Sequence, residues 1–196
     1  RSLSYNGNSK QENNWVGNYY GTSNTPRGRL RASSLLMEGF SDDKGQVFLT
    51  QRDCRAYEGL RSEGSNYTIA KYLRQSASVS LQKLGSVSVP DNLRARKNAN
   101  WIIYRLSDVL LMKAEALIER GGEGDYDEAF KLINVVYKRA TAVSPDATTG
   151  GLAYDKYSGS KQQMEDLLFE ERQREFLFEG KRWFDIKRWG IEIPRR

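Results

Sequence analysis

Glu171 and Glu175 stand one helical turn apart, and paired carboxylates at that spacing are the first groups in this chain that could do chemistry. A retaining glycosidase holds its two carboxyl groups about 5 Å apart, and an inverting one about 6.5 to 9.5 Å. An i,i+4 pair approaches the smaller value. A catalytic acid, however, needs a raised pKa, and Arg172 and Arg174 lie among these glutamates. On a helix advancing about 100° per residue, Met164, Leu167, Leu168 and Phe178 share one face, with Glu171 and Glu175 in its middle. Arg172, Arg174 and Glu179 fall at the edges. Carboxylates on a core-facing stripe must be neutralised, because an unpaired buried charge is prohibitively costly. Bidentate guanidinium pairs supply the means. The expectation is therefore a structural ion network of Glu171, Arg172, Arg174, Glu175, Glu179, Arg182, Asp185 and Arg188, and no catalytic residue. If Glu175→Ala leaves a buried arginine unpaired, it costs about 3 to 5 kcal/mol.

The chain contains no histidine and a single cysteine, Cys54. Ser-His-Asp and Cys-His catalysis and His-ligated zinc are removed together. The side chain that titrates between about pH 5 and 8 is missing as well. One thiol forms no internal disulfide, and Cys54, beside Arg52 and Arg55, has no histidine to act as its base. Asp42-Asp43-Lys44-Gly45 and Glu123-Gly124-Asp125-Tyr126-Asp127 offer oxygen atoms in glycine-containing loops. Neither has the register of a calcium loop, and Asp125 and Asp127 read as helix-start residues. No metal and no cofactor is expected.

Aromatic residues mixed with amides and guanidinium groups carry a different chemistry. Sugar rings present flat C–H faces to Trp and Tyr, and their hydroxyls take amide or charged partners. Trp15, Asn18, Tyr19 and Tyr20 combine these groups in one segment, and Tyr57, Arg61, Asn66 and Tyr67 in a second, loop-like one. These eight are the candidate ligand-binding residues. Trp183, Trp189 and Tyr137 read as core.

The elements that position these groups fall into two regions. Residues 1–100 are loop-rich, with Asn, Gly and Ser prominent and short apolar runs such as Val47-Phe48-Leu49 and Tyr67-Thr68-Ile69. Short extended pieces are expected there, and a helix is conceivable only over 70–84. Residues 101–196 are helical. Leu106, Val109, Leu110, Ala114, Leu117 and Ile118 form an apolar arc, with Asp108, Glu115 and Glu119 on the opposite, water-facing side. Gly121-Gly122-Glu123-Gly124 ends that helix, and Asp125 with Glu128 suggests a capping box for the next. The second helix buries Tyr126, Ala129, Phe130, Ile133, Val136, Tyr137 and Ala140. After a loop over 141–159, Ser160 and Gln163 make another capping box. The helix they open runs to Gly180, and Lys181–Trp189 forms a short last helix whose Trp183, Phe184, Ile186 and Trp189 dock it. The predicted fold is mainly α: a tetratricopeptide-like helical hairpin plus C-terminal helices, with large irregular loops, in one structural domain. A single such hairpin cannot cover its own apolar faces.

Hydrophobic residues make up 38% of the 196 and the net charge is +6. The basic residues are interleaved with acids, and no zinc-finger, RNP or helix-turn-helix pattern accompanies them, so no nucleic-acid partner is expected.

The tail Glu171-Arg172-x-Arg174-Glu175-x3-Glu179-Gly180-x-Arg182-Trp183-Phe184-Asp185-x2-Arg188-Trp189-Gly190 resembles the signature of the SusD/RagB family of outer-membrane nutrient-binding lipoproteins. The block Tyr104 to Ala116 and the run Asn134-x2-Tyr137-Lys138-Arg139-Ala140 are similar to two further hallmarks. Asp53-Cys54-Arg55 and Lys71-Tyr72 echo the family's turns more weakly. The resemblance implies a cell-surface lipoprotein that binds a glycan or other nutrient polymer without catalysis. It also implies delivery to a TonB-dependent, SusC-like outer-membrane transporter. Family members carry an N-terminal lipid anchor and are longer, so the chain reads as a C-terminal fragment whose anchor and signal peptide lie elsewhere. Two other classes remain open: a tetratricopeptide-type peptide-binding adaptor, and a carbohydrate-active enzyme.

Overall fold

A computed structural model describes residues 30–32, 36, 53, 55, 59–63, 66–69, 71, 102–141 and 151–190. The chain divides into two compact units, Arg1–Ile103 and Tyr104–Arg196.

Within the first unit, β1 (Arg31–Ala32), β2 (Leu60–Glu63) and β3 (Asn66–Ile69) form an antiparallel sheet in the order β1-β3-β2. Only Gly64 and Ser65 separate β2 from β3 in sequence, and a connection that short fixes the register. Leu60 pairs with Ile69, Arg61 with Thr68, Ser62 with Tyr67 and Glu63 with Asn66. Arg31 pairs with Thr68 from the other side, and Ala32 with Tyr67. Alternation thus divides the positions by face. Leu60, Ala32, Ser62 and Tyr67 share one face with Ile69, which is buried. Arg31, Arg61, Glu63, Asn66 and Thr68 fall on the opposite one. Nearby, buried Arg55 folds back on buried Asp53, its Nε 2.8 Å from Oδ1 and its Nη2 2.5 Å from Oδ2.

The second unit holds four helices: α1 (Leu106–Arg120), α2 (Asp125–Ala140), α3 (Lys161–Glu175) and α4 (Arg182–Arg188). Gly121 stops α1 at φ 62, a left-handed geometry that glycine adopts without penalty, and its N–H reaches Leu117 O at 3.0 Å. Chain reversal then lays α2 antiparallel on α1, with Lys113 on Glu128 at 2.6 Å. Between α2 and α3, Asn134 Oδ1 accepts the Leu152 N–H at 2.9 Å, and Tyr154 packs edge-on against Phe130. Ser160 caps α3, accepting the Gln163 N–H at 3.2 Å. Arg105, Asp108 and Glu119 meet Glu175, Arg172 and Lys161 respectively, so α3 runs antiparallel to α1. Leu111, Ala114, Leu117 and Ile118 of α1, Phe130, Ile133 and Val136 of α2, and Met164, Leu167 and Leu168 of α3 form one core. Each of the larger side chains among them, taken out of water, contributes roughly 1.5 to 3 kcal/mol.

Several sequence expectations need correction. The extended piece expected around Tyr67-Thr68-Ile69 is strand β3, whereas Arg61 and Asn66, grouped with Tyr67 in one loop-like segment, are strand residues on the opposite face from it. Leu106 and Val109, assigned to the core arc, are 73% and 53% exposed, whereas Asp108, assigned to the water-facing line, is buried. The core of α1 is rotated toward α3 and α4 because Arg172 and Lys181 arrive there from distant sequence. Gly124, not Asp125, is the N-cap of α2. Asp125 instead accepts the Gly122 N–H at 2.7 Å and pairs with Arg120. The α3 helix ends at Glu175 rather than Gly180. Phe178, read as part of its core face, is half-buried in the following turn at φ 64, a region that costs a non-glycine residue about 1 to 2 kcal/mol. Trp183 and Phe184, read as docking surface, are 55% and 68% exposed, while Trp189 is half-buried and stacks on Phe169 at 4.6 Å. Val47–Leu49 and Cys54 lie outside the described residues, as does 70–84 apart from Lys71.

Asp125 supplies a pH test. The Arg120 hydrogen bond outweighs the opposing effect of burial and, with the Gly122 N–H, holds its pKa at about 2, against an ordinary 3.8. A carboxyl group depressed by folding stabilises fully above its unfolded pKa and loses that contribution as pH falls through the folded value. Thermal unfolding of wild type and Asp125→Asn should show a Tm gap at neutral pH that closes between about pH 4 and about pH 2. A gap constant across that window would contradict the assignment.

Candidate functional site

Helix α3 and the turn after it bring carboxylates into the interior, and cations from the same helix or from neighbouring elements meet them. Glu171 and Glu175 are at most 1% exposed, and Glu179 is buried with them. Arg174 Nε meets Glu171 Oε2 at 2.8 Å within the helix. Arg105, just before α1, reaches across to the end of α3. Its Nη2 donates to Glu175 O at 2.6 Å and to Glu179 Oε1 at 2.9 Å, and its Nε to Glu179 Oε2 at 3.3 Å. Its Nη1 donates to Glu175 Oε1 and to Ser107 Oγ. One planar guanidinium thereby caps a helix C-terminus and clamps two carboxylates, which an ammonium cannot do. Burial by itself would lower the Arg105 pKa, but the Glu179 and Glu175 contacts outweigh it and leave the pKa raised. Arg139 of α2 adds a contact to Glu175 Oε1 at 2.6 Å.

The turn from 176 to 180 makes this clamp possible. Phe178 and Gly180 both take positive φ, and Glu179 between them turns inward to Arg105. Beneath the charges lies the buried Phe176 ring. Arg105 Cζ, Arg172 Cζ and Lys181 Nζ sit 4.9, 5.0 and 4.8 Å from its centroid. Cations over an aromatic face gain more when desolvated. Each of the three is also paired: Arg105 as above, Lys181 with Asp108, and Arg172 with both Asp108 and Asp185 at 3.4 and 3.0 Å.

Asp108–Lys181 and Glu115–Arg188 have the same sequence offset, so α4 runs in the same sense as α1. Trp189 Nε1 donates to Glu115 Oε1 at 3.1 Å, and Arg188 also holds Asp185. Burial lowers the Arg188 pKa less than its partners, Glu115 first, raise it. Arg182 departs from the pattern. Its guanidinium lies 3.5 Å over the Phe169 ring and donates to Phe169 O at 3.1 Å, and burial holds its pKa below the ordinary value.

Arg105, Arg139 and Lys181 are members of this cluster that helical periodicity does not single out, and it sets Asp108 and Glu115 opposite the apolar arc without showing their partners. Arg105 and Asp108 look locally like a helix entry, and their true partners are 64 to 74 residues away. Asp127 is engaged by Lys131. Among the described residues no three His, Cys, Asp or Glu side chains are grouped to hold a metal ion. Of the candidate ligand residues, Trp15, Asn18, Tyr19, Tyr20 and Tyr57 lie outside the described residues, as do Asp42 and Asp43. Arg61, Asn66 and Tyr67 are placed by the backbone of β2 and β3.

A tetratricopeptide-like hairpin packs here with a charged helix, an inward-turned loop and a short helix that carries Trp183 and Phe184. The SusD family model matches residues 5–194, and the chain belongs to the SusD family. It is 28% identical over 148 residues to SusD-like protein P38 of Formosa agariphila, covering 76% of this chain and 26% of that protein. SusD-like proteins P25 and P2 of the same organism are each 32% identical, over 111 and 124 residues. Those matches cover 57% and 61% of this chain, and 19% and 21% of the relatives. The chain thus spans about a fifth to a quarter of the length of the relatives it matches.

The geometry ranks the cations. Arg139 is 58% exposed and Arg105 only 24%. Arg105→Ala removes a many-bonded clamp from two buried carboxylates and should cost about 3 to 5 kcal/mol. Arg139→Ala removes a contact that water can replace and should cost below about 1 kcal/mol. Urea unfolding of the two variants checks the order, and equal losses would contradict it.

Proposed function

We propose that this protein captures an extracellular glycan at the outer-membrane surface, without catalysis, and passes it to a TonB-dependent transporter of the SusC kind. The family match over residues 5–194 carries this reading. Support comes from the state of the carboxylates. Glu171 and Glu175, the pair whose spacing first suggests glycoside chemistry, are sealed from solvent with guanidinium groups on them. A general acid has to reach substrate, and neither buried carboxylate is placed to do so. The chain has no histidine to substitute for them. Ligand contacts then fall to the aromatic and polar residues of the first unit, Trp15, Asn18, Tyr19, Tyr20, Tyr57, Arg61, Asn66 and Tyr67. Among the described residues no helix is long and apolar enough to cross a membrane.

Affinity electrophoresis of the full chain through gels containing soluble polysaccharides tests capture, and a reducing-sugar assay on the same polymers tests catalysis. Retardation by at least one glycan with no sugar release is expected. With no histidine to titrate, affinity should change less than tenfold between about pH 5.5 and 7.5. Release of reducing ends, or capture of peptides in place of glycans, would overturn the reading.

A further inference from the structure

Within the helical unit, the α1–α2 hairpin is packed by α3 on one side only. Leu111, Ala114 and Ile118 of α1 and Phe130, Ile133 and Val136 of α2 share one core with Met164, Leu167 and Leu168 of α3. Turned away from that core, Leu106 and Val109 of α1 and Val135 of α2 are exposed, and Leu132 of α2 is half-buried. The Lys113–Glu128 contact sets the antiparallel register of the hairpin. Counting turns back along α1 and forward along α2 places Val109 level with Leu132, and Leu106 level with Val135. Two adjacent helices thus present one apolar patch, and contiguous exposed apolar surface marks an interaction site.

Charge frames this patch in a definite order. Its stripe on α2 runs Glu128, Leu132, Val135, Arg139, with each charge four residues outside an apolar position. Lys131, also exposed, is turned to Asp127. Read from either end, the stripe is its own complement. A two-fold axis passing midway between Leu132 and Val135 lays a second α2 antiparallel on the first. Glu128 then faces Arg139 of the second copy, and Leu132 faces its Val135, each contact occurring twice. By the hairpin register the same axis passes midway between Leu106 and Val109, so Leu106 meets Val109 of the second copy. Isologous interfaces require this reciprocity, in which residue i meets j and j meets i.

Within the chain Glu128 already holds Lys113, and Arg139 holds Glu175, with both side chains half or more exposed. A carboxylate accepts several hydrogen bonds and a guanidinium carries five N–H donors, so each can take a further partner. The four patch residues are aliphatic, which suits helix-on-helix packing and offers no ring on which a sugar could stack.

We propose that this face binds a second copy of the chain, the two hairpins closing an antiparallel four-helix interface about a two-fold axis. The inference is independent of the glycan-capture reading.

Sedimentation velocity of the full chain over about 1 to 100 µM tests it, and a monomer–dimer equilibrium is expected. Val109→Glu and Val135→Glu, with folding verified by circular dichroism, should each weaken dimerisation about tenfold or more, because each buries a charge in the interface. Phe184→Glu, the same kind of change at an exposed position of α4, should leave it unaltered. Glu128→Arg and Arg139→Glu should each dimerise poorly alone, since both reciprocal contacts then oppose like charges. An equimolar mixture of the two should recover the dimer, because every contact in the mixed pair again joins opposite charges. If Arg139→Glu fails to fold beside Glu175, the valine variants decide alone. A monomer throughout the range overturns the inference and leaves the face to a helix of another polypeptide. A dimer indifferent to the valine variants, one weakened equally by Phe184→Glu, or a mixture that associates no better than its components overturns it as well.

Discussion

A carboxylate taken out of water must bring a cation with it, and the helical unit is arranged around that requirement. Arg105, Arg172 and Lys181 converge on the Phe176 ring from three different places in the chain. Each is tied to acids on another element, so the charges connect α1 to α3 and α3 to α4. Apolar packing alone would let antiparallel helices slide or rotate, since any well-filled interface of similar volume is nearly as good. Charge pairs tolerate no such slippage, because a displaced partner strands a buried ion. The clasp therefore acts chiefly on register. Its free energy of formation is a separate quantity, reduced by the desolvation of every group in it.

The strained turn fits the same logic. Phe178 occupies a left-handed conformation although it is not glycine. Continuing α3 by another turn would avoid that cost, yet it would leave the helix C-terminus without the Arg105 cap and Glu179 away from the guanidinium. The contacts of Glu179 and the Glu175 carbonyl with Arg105 offset the local strain.

Helix existence was legible in the sequence because its signals are local: periodic apolar residues in α1 and α2, the Gly121 stop, the Ser160 cap. Facing was not. Asp108 looked solvated because its neighbours on α1 give no hint of Arg172 and Lys181. Leu106 and Val109 looked buried because a helix apolar on most sides does not reveal which side is covered. The turn at Phe178 was hidden for a similar reason, since a helical wheel continues until a breaker appears and phenylalanine is none. In the first unit, Arg61, Asn66 and Tyr67 looked like one loop cluster. The alternation of a hairpin separates them, and only pairing to β1 reveals that Arg61 has Arg31 in its row. Spacing did mark Glu171 and Glu175 as residues needing partners, although it could not name Arg105.

A double-mutant cycle on Arg172 and Asp185, the nearly fully buried pair joining α3 to α4, tests most directly whether these charges depend on each other across that contact. Arg172→Met, Asp185→Asn and the double variant would be compared with wild type by equilibrium unfolding. The account predicts a coupling above about 1 kcal/mol, with the double variant less damaged than the two single losses imply. Additivity within about 0.5 kcal/mol would contradict it, and would mean that this pair does not couple the two helices.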